Sequence, residues 1–173
     1  MCIRDRLLGI HKDAKLPRFA SQTAKKNLKH LKSNKNSKNK VAIFTTCYHN
    51  FNEPEIISDL VSVLEHNGVG IEIISNDNCC GMPKLELGDI KQVEKMMESN
   101  LKQLFPYAEG GFKIIAPVPS CVLMFKQELP LLFPSNERVK KVSESIMDPF
   151  EFLLMLHENN ELNLDFKSNL GDI

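Results

Sequence analysis

Three short apolar runs, separated by stretches of helical periodicity, constrain the fold of this chain more than any other feature. The runs are VAIFTT (41–46), IEIIS (71–75) and KIIAPV (113–118), and their length and apolar character predict strands. Strands that alternate with helices at this spacing indicate a parallel sheet with helices packed on both faces. The sequence therefore predicts a three-layer α/β fold whose small parallel sheet has about three to four strands.

The helices between these strands are predicted from their caps and from apolar residues spaced three and four positions apart. They are 54–67, 90–109, 121–129 and 148–159. The third is expected to end before Pro130, and a shorter helix is predicted to begin at Ser21 or Thr23. The stretch NERVKKVSESIM (136–147) fits either a helix or a short strand, so its structure stays open at this point.

Charge is divided unevenly along the chain, although the formal net charge is zero. Residues 9–40 carry a net charge of +9, whereas residues 41–173 carry a net charge of −10. This change of sign predicts a domain edge. We therefore expect a basic connector with a short helix at 7–40, an α/β domain at 41–160 and a truncated linker at 161–173.

The first six residues are excluded from the predicted fold. MCIRDR resembles the translated end of a common transposase sequencing adapter, so residues 1–6 are expected to be an assembly scar fused to a gene fragment. Apart from Cys2 the chain has four cysteines, and it shows neither a signal peptide nor a run of roughly 18 apolar residues. These observations predict a reduced, cytoplasmic compartment and no direct membrane span.

The basic connector raises the question of an anionic partner, because lysine-rich segments bind nucleic acid or anionic lipid. Aromatic residues are almost absent from it, with Phe19 alone. We therefore predict a solvated linker and no nucleic-acid partner. The chain also shows no nucleophile–base pair and no phosphate-binding glycine loop, so no catalytic residue is predicted.

The four remaining cysteines follow the predicted strands. Cys47 comes directly after the first, Cys79 and Cys80 come shortly after the second, and Cys121 lies three residues after the third. Because the carboxyl ends of parallel strands share one edge of a sheet, these thiols are expected to meet there. Four convergent thiolates are typical of iron–sulfur clusters or of tetrahedral zinc. Adjacent cysteines point in different directions, which favours a cluster with several irons over a single ion.

The spacing of these cysteines resembles a known family. The arrangement Cys47-x31-Cys79-Cys80-Gly81-Met82-Pro83, with LELGD (85–89) and PSC (119–121), is similar to the cysteine-rich CCG domain. That family includes the B subunit of heterodisulfide reductase, the iron–sulfur subunit of glycolate oxidase and lactate-utilisation proteins. The likeness is strongest to the C subunit of anaerobic glycerol-3-phosphate dehydrogenase.

The resemblance implies a cofactor and a role. A [4Fe–4S]-type iron–sulfur cluster would be held by Cys47, Cys79, Cys80 and Cys121. The chain would be a non-catalytic electron-transfer subunit that relays electrons from a flavin-containing dehydrogenase subunit to quinone or another acceptor. A quinone or membrane subunit would be a further partner, and association with the inner membrane would come through partners.

The chain departs from the family pattern in two respects. Family members usually carry two such repeats after an N-terminal pair of cubane cluster sites. This chain has a single repeat, so it is expected to be an internal fragment. Residues 161–173 would then lead toward a missing second repeat. In the heterodisulfide reductase type a fifth ligand stands three residues after Cys121, where this chain has Met124. Zinc in a structural assembly module, or a thiol-redox protein using Cys79 and Cys80, therefore stay open as alternatives.

His49 is expected to be a surface loop residue.

Overall fold

The computed structural model of the chain describes residues 11, 14, 17–31, 34, 37–75 and 78–165. The predicted scar at 1–6 lies outside the described residues, as do residues 166–173 of the predicted linker.

A parallel sheet with helices on both faces confirms the predicted α/β fold class. Its strands are β1 (Lys40–Ile43), β2 (Gly70–Ile73), β3 (Lys113–Ile115) and β4 (Ile146–Met147), in the spatial order β2-β1-β3-β4. Ile43 at the end of β1 pairs with both Ile73 and Ile115. Because the first three strands end at the same level, the segments that follow them leave from one edge of the sheet.

The helices extend the predicted pattern. They are α1 (Ala24–Asn27), α2 (Cys47–Phe51), α3 (Pro54–His66), α4 (Met82–Glu86), α5 (Ile90–Glu109), α6 (Pro119–Leu123), α7 (Leu129–Leu132), α8 (Glu137–Ser145) and α9 (Pro149–Glu158). A π-helical turn, Met124–Glu128, joins α6 to α7. In the part of the chain that the structure describes, no helix is both long enough and apolar enough to cross a bilayer.

One detail of the helix prediction is wrong, and one stretch that the sequence left open can be assigned. The helix after β3 does not end before Pro130, because the wider π turn precedes this residue and accommodates a proline that lacks an N–H donor. The stretch 136–147 forms both of the structures that its sequence allowed. It begins as helix α8, whose N-terminus is capped by Asn136, and it ends as strand β4.

The sheet is buried on both faces because the side chains of each strand alternate between them. In and just after β1, Val41 and Ile43 pack in a core with residues of α1, α3 and α9. Ala42 and Phe44 pack in a second core with α5, α8 and the helical run 119–132. All four side chains are fully buried. The second core also contains Cys80 and Cys121, so its packing extends to the edge of the sheet at which the strands end.

The N-terminus of α9 offers a test of local helix stability. The Asp148 carboxylate accepts the backbone N–H groups of Phe150 and Glu151 at 2.7 and 3.0 Å, and the Glu151 carboxylate accepts the N–H of Asp148 at 3.0 Å. This reciprocal cap satisfies donors that the helix leaves free. We expect Asp148→Ala to lower the free energy of unfolding by about 1 kcal/mol in urea titrations followed by circular dichroism. The exposed Glu65→Ala serves as the control, with a change within about 0.5 kcal/mol.

Candidate metal centre

Cys47 is placed by a sharp turn at the end of the first strand. Thr46 adopts a φ of +62°, which is rare for a residue other than glycine, and so ends the extended chain. Its hydroxyl accepts the backbone N–H of His49 at 3.3 Å and caps α2. Cys47 is therefore the first residue of a short helix, and its side chain is exposed.

Cys79 and Cys80 lie in the loop between β2 and α4. Gly81 follows them with a φ of +99°, in the left-handed region where side chains are strained, and begins α4. A Cβ atom at this position would lie 3.5 Å from the terminal methyl group of Met124. The glycine of the motif thus permits the left-handed turn that starts α4.

Cys121 is the third residue of α6, which starts two residues earlier than the sequence predicted. Its Sγ atom lies 3.2 Å from the Sγ atom of Cys80, and both side chains are 4% exposed. Residues 41 positions apart in the chain are therefore in direct sulfur–sulfur contact.

The structure brings all four predicted cysteines together as a row of thiols. Cys80 and Cys121 are in direct contact, and the thiols of Cys47, Cys79 and Cys80 lie close enough for each to shift the pKa of its neighbour in the row. None of the four forms a disulfide. The row begins among the buried side chains of the core and ends at the exposed Cys47.

The pKa values of Cys47, Cys79 and Cys80 are all raised above that of an ordinary thiol. The adjacent Cys121 thiol, with burial, raises the pKa of Cys80 to about 12. The neighbouring Cys80 thiol and then burial raise the pKa of Cys79, and burial and then Cys79 raise that of Cys47. Thiolates placed this close repel one another unless a positive charge lies between them. The arrangement is therefore suited to a cationic group that displaces the thiol protons.

Backbone N–H groups act in the opposite direction at the same sulfurs. Those of Gly81 and Met82 lower the pKa of Cys79 and Cys80, and that of Tyr48 contributes similarly at Cys47. Hydrogen bonds of this kind stabilise sulfur in its anionic form. They are also among the interactions that set the potential of a cluster.

The donor atoms at this edge of the sheet limit which metal groups the site can hold. Among the described residues, no group of three or more His, Cys, Asp or Glu side chains is arranged around one point as a single ion requires. Tetrahedral zinc needs four such ligands at about 2.3 Å for sulfur. Iron–sulfur clusters instead take thiolates on several different irons. This donor set, four thiols and no carboxylate, fits an iron–sulfur cluster and occurs in structural zinc sites as well.

Met124 and His49 occupy different environments. Met124, at the position of the family's fifth ligand, is fully buried in the core that contains Cys80 and Cys121. The prediction that His49 lies on the surface is wrong, because this side chain is only 7% exposed. Burial lowers the pKa of His49 although Glu53 lies near, and its Nδ1 atom has no hydrogen-bond partner among the described residues.

The connector contacts the same edge of the sheet, which the sequence did not indicate. In α1 the Lys25 side chain donates to the carbonyl of Ser75 at 3.0 Å, and its backbone N–H donates to the side chain of Asn50 at 3.2 Å. Burial lowers the pKa of Lys25. A basic stretch with few apolar residues resembles a solvated linker, so no pattern marked this lysine before the structure did.

Comparisons with known proteins place this geometry in context. The family model described as a cysteine-rich domain, CCG, matches residues 41–126. The chain is 32% identical over 95 residues to the C subunit of anaerobic glycerol-3-phosphate dehydrogenase from Escherichia coli (strain K12). The aligned residues make up 54% of this chain and 24% of that protein. It is 31% identical over 121 residues to lactate utilization protein A 1 of Bacillus mycoides (strain KBAB4). This alignment includes 69% of this chain and 47% of that protein.

These matches confirm the resemblance that the cysteine motif predicted. The matched part of the chain spans less than half the length of each of these two curated relatives. No solved structure gives a significant match to the chain.

Proposed function

We propose, on the premise that residues 41–126 form a cysteine-rich CCG domain, that this chain binds an iron–sulfur cluster and carries electrons within an oxidoreductase complex. Cys47, Cys79, Cys80 and Cys121 would hold the cluster, which is of the [4Fe–4S] type in this proposal. The observation that carries it is the 3.2 Å contact between Cys80 and Cys121, whose sulfurs come from two separate segments at one edge of the sheet, with the thiols of Cys79 and Cys47 nearby.

The residues of the chain have separable tasks in this role. When bound, the cluster supplies one-electron transfer, and the four thiols release their protons to hold it. The backbone N–H groups of Gly81 and Met82 stabilise the sulfurs of the adjacent cysteines. Burial of Cys80 and Cys121 excludes water from one side of the site. Together these effects tune the potential at which an electron is accepted.

The burial gradient along the row gives the site an outward side. Cys80 and Cys121 are buried, Cys79 is partly exposed and Cys47 is exposed. A redox partner would therefore approach at the Cys47 side, where the distance from solvent to the sulfurs is shortest. The exposed ring of Tyr48, the next residue, borders the same surface.

The names of the relatives suggest the kind of complex. One relative belongs to a glycerol-3-phosphate dehydrogenase and the other is a lactate utilization protein. By analogy, electrons would arrive from a flavin-containing dehydrogenase subunit and leave to quinone or another acceptor. Substrate oxidation would take place on that partner. We place the complex in the cytoplasm, where partner subunits would make any attachment to the inner membrane. In this chain, residues 41–160 would be the cluster-binding unit and residues 7–40 its connector.

A redox cycle tests the electron-transfer role. The chain is reconstituted anaerobically with iron and sulfide, and its visible charge-transfer absorption is recorded. We expect dithionite to bleach this absorption and a quinone analogue to restore it without loss of iron. Absorption that does not respond to either reagent would contradict electron transfer and would favour a structural role for the metal.

A further inference from the structure

Asn100 is a polar residue on the apolar side of the long helix α5. Its side chain is fully buried, as are those of the neighbouring core residues Leu101 and Leu104. A buried amide has to be satisfied by hydrogen bonds, because an unpaired donor or acceptor costs free energy. The partners of this amide therefore show what the residue does.

Both ends of the Asn100 amide bind the backbone of the cysteine loop. Its Oδ1 atom accepts the backbone N–H of Asn78 at 2.9 Å, and its Nδ2 atom donates to the carbonyl of Cys79 at 3.0 Å. Among the described residues, the backbone of 78–80 makes no hydrogen bond to another backbone group. The amide thus supplies the bonds that a strand or helix would supply elsewhere.

These two bonds fix the direction of the adjacent cysteines. They hold the N–H group of Asn78, in the peptide plane that precedes this residue, and the carbonyl group of Cys79, in the plane that links Cys79 to Cys80. The segment Asn78–Cys79 is therefore held at both of its ends, which limits its freedom to rotate. Helix α5 is 20 residues long and packs along the sheet, which makes it a rigid support. A side chain that orients both loop residues from such a support determines where their sulfurs point.

We propose that Asn100 is the positioning residue of the Cys79–Cys80 pair. Its amide holds the loop in the arrangement in which the Cys80 sulfur lies 3.2 Å from that of Cys121 and the Cys79 thiol lies near that of Cys47. This inference rests on the proposed cluster for its functional meaning, but the positioning itself is a property of the metal-free chain.

The test compares variants along one helix. Asn100→Leu removes both hydrogen bonds with little change of volume, and Asn100→Asp keeps the acceptor for the N–H of Asn78 while removing the donor. Ser99→Ala removes the hydroxyl that accepts from the Asn78 side chain at 2.7 Å and leaves the Asn100 bonds in place. Leu104→Ala lowers global stability and removes no hydrogen bond to the loop, since leucine has no polar side-chain atom.

The first measurement uses the metal-free protein. The rate at which iodoacetamide alkylates the buried Cys80 is followed by mass spectrometry under native conditions. The alkylation rates of Asn100→Leu and Leu104→Ala are compared under conditions that give the two variants equal free energies of unfolding. We expect the rate in Asn100→Leu to be at least about tenfold higher, because its loop opens locally. Asn100→Asp should give an intermediate rate, and Ser99→Ala a rate near that of the unaltered chain.

The second measurement uses the reconstituted protein and records the rate of iron release to a chelator. Asn100→Leu should release iron at least about tenfold faster than Leu104→Ala, in the range seen when groups that orient metal ligands are lost. Equal Cys80 alkylation in these two variants, at equal stability, would overturn the positioning role. If the unaltered chain binds no cluster while Asn100→Leu still accelerates alkylation, the proposed function fails and the positioning role stands.

Discussion

Replacing Cys80 by serine is expected to abolish the charge-transfer absorption of the reconstituted chain. Cys80 is the link between the two halves of the thiol row, because it contacts both Cys79 and Cys121. A serine hydroxyl has nearly the same shape, but iron–sulfur clusters are held by thiolates. The loss should therefore come from the chemistry of the ligand and not from altered packing.

The measurement compares absorption and iron content after identical anaerobic reconstitution. Met124→Leu is the matched control, since it lies in the same buried cluster and conserves volume. It should keep the absorption, because this side chain packs against the site as part of the core. Full absorption in Cys80→Ser would contradict the assignment of this thiol as a ligand.

The second large effect concerns stability. Phe44→Ala is expected to lower the free energy of unfolding by about 3–5 kcal/mol, the range for deleting a buried aromatic ring. Phe44 directly follows β1 and is fully buried. Its ring meets that of Phe125 edge to face, with centroids 5.4 Å apart and planes at 80°. Removal leaves a cavity and breaks this aromatic pair.

Urea titrations of the metal-free chain measure this loss. Phe150→Ala is the control, since this ring is 80% exposed and its removal should change the free energy of unfolding by no more than about 0.5 kcal/mol. A loss for Phe44→Ala below about 1 kcal/mol would show that the core beside the cysteines is not packed as described.

The elements that were predictable from the sequence are those with their own local signals. The helix starts near Pro54, Asp89 and Asp148 follow from capping residues, and the structure has caps or first turns at each. The strands are shorter than the apolar runs suggested. β1, for example, ends at Ile43, while the following residues are still buried as they enter the turn at Thr46.

The elements that were not predictable depend on tertiary structure. Helices α2 and α4 have five residues each, too few to show a helical period, and they depend on unusual backbone angles at Thr46 and Gly81. The convergence of the cysteines could be inferred because parallel strands share an edge. The role of Asn100 could not, since its partners lie 22 and 21 residues earlier, although a polar residue between Met97 and Leu101 on an apolar helix face was a usable signal.

The central claim is that four thiols at one edge of the sheet hold an inorganic cluster. Its most direct test is the iron, acid-labile sulfide and zinc content of the chain, purified without oxygen and reconstituted with all three available. We expect iron and sulfide in equal amounts, with little zinc. Zinc without sulfide, or a chain that retains none of the three, would contradict it.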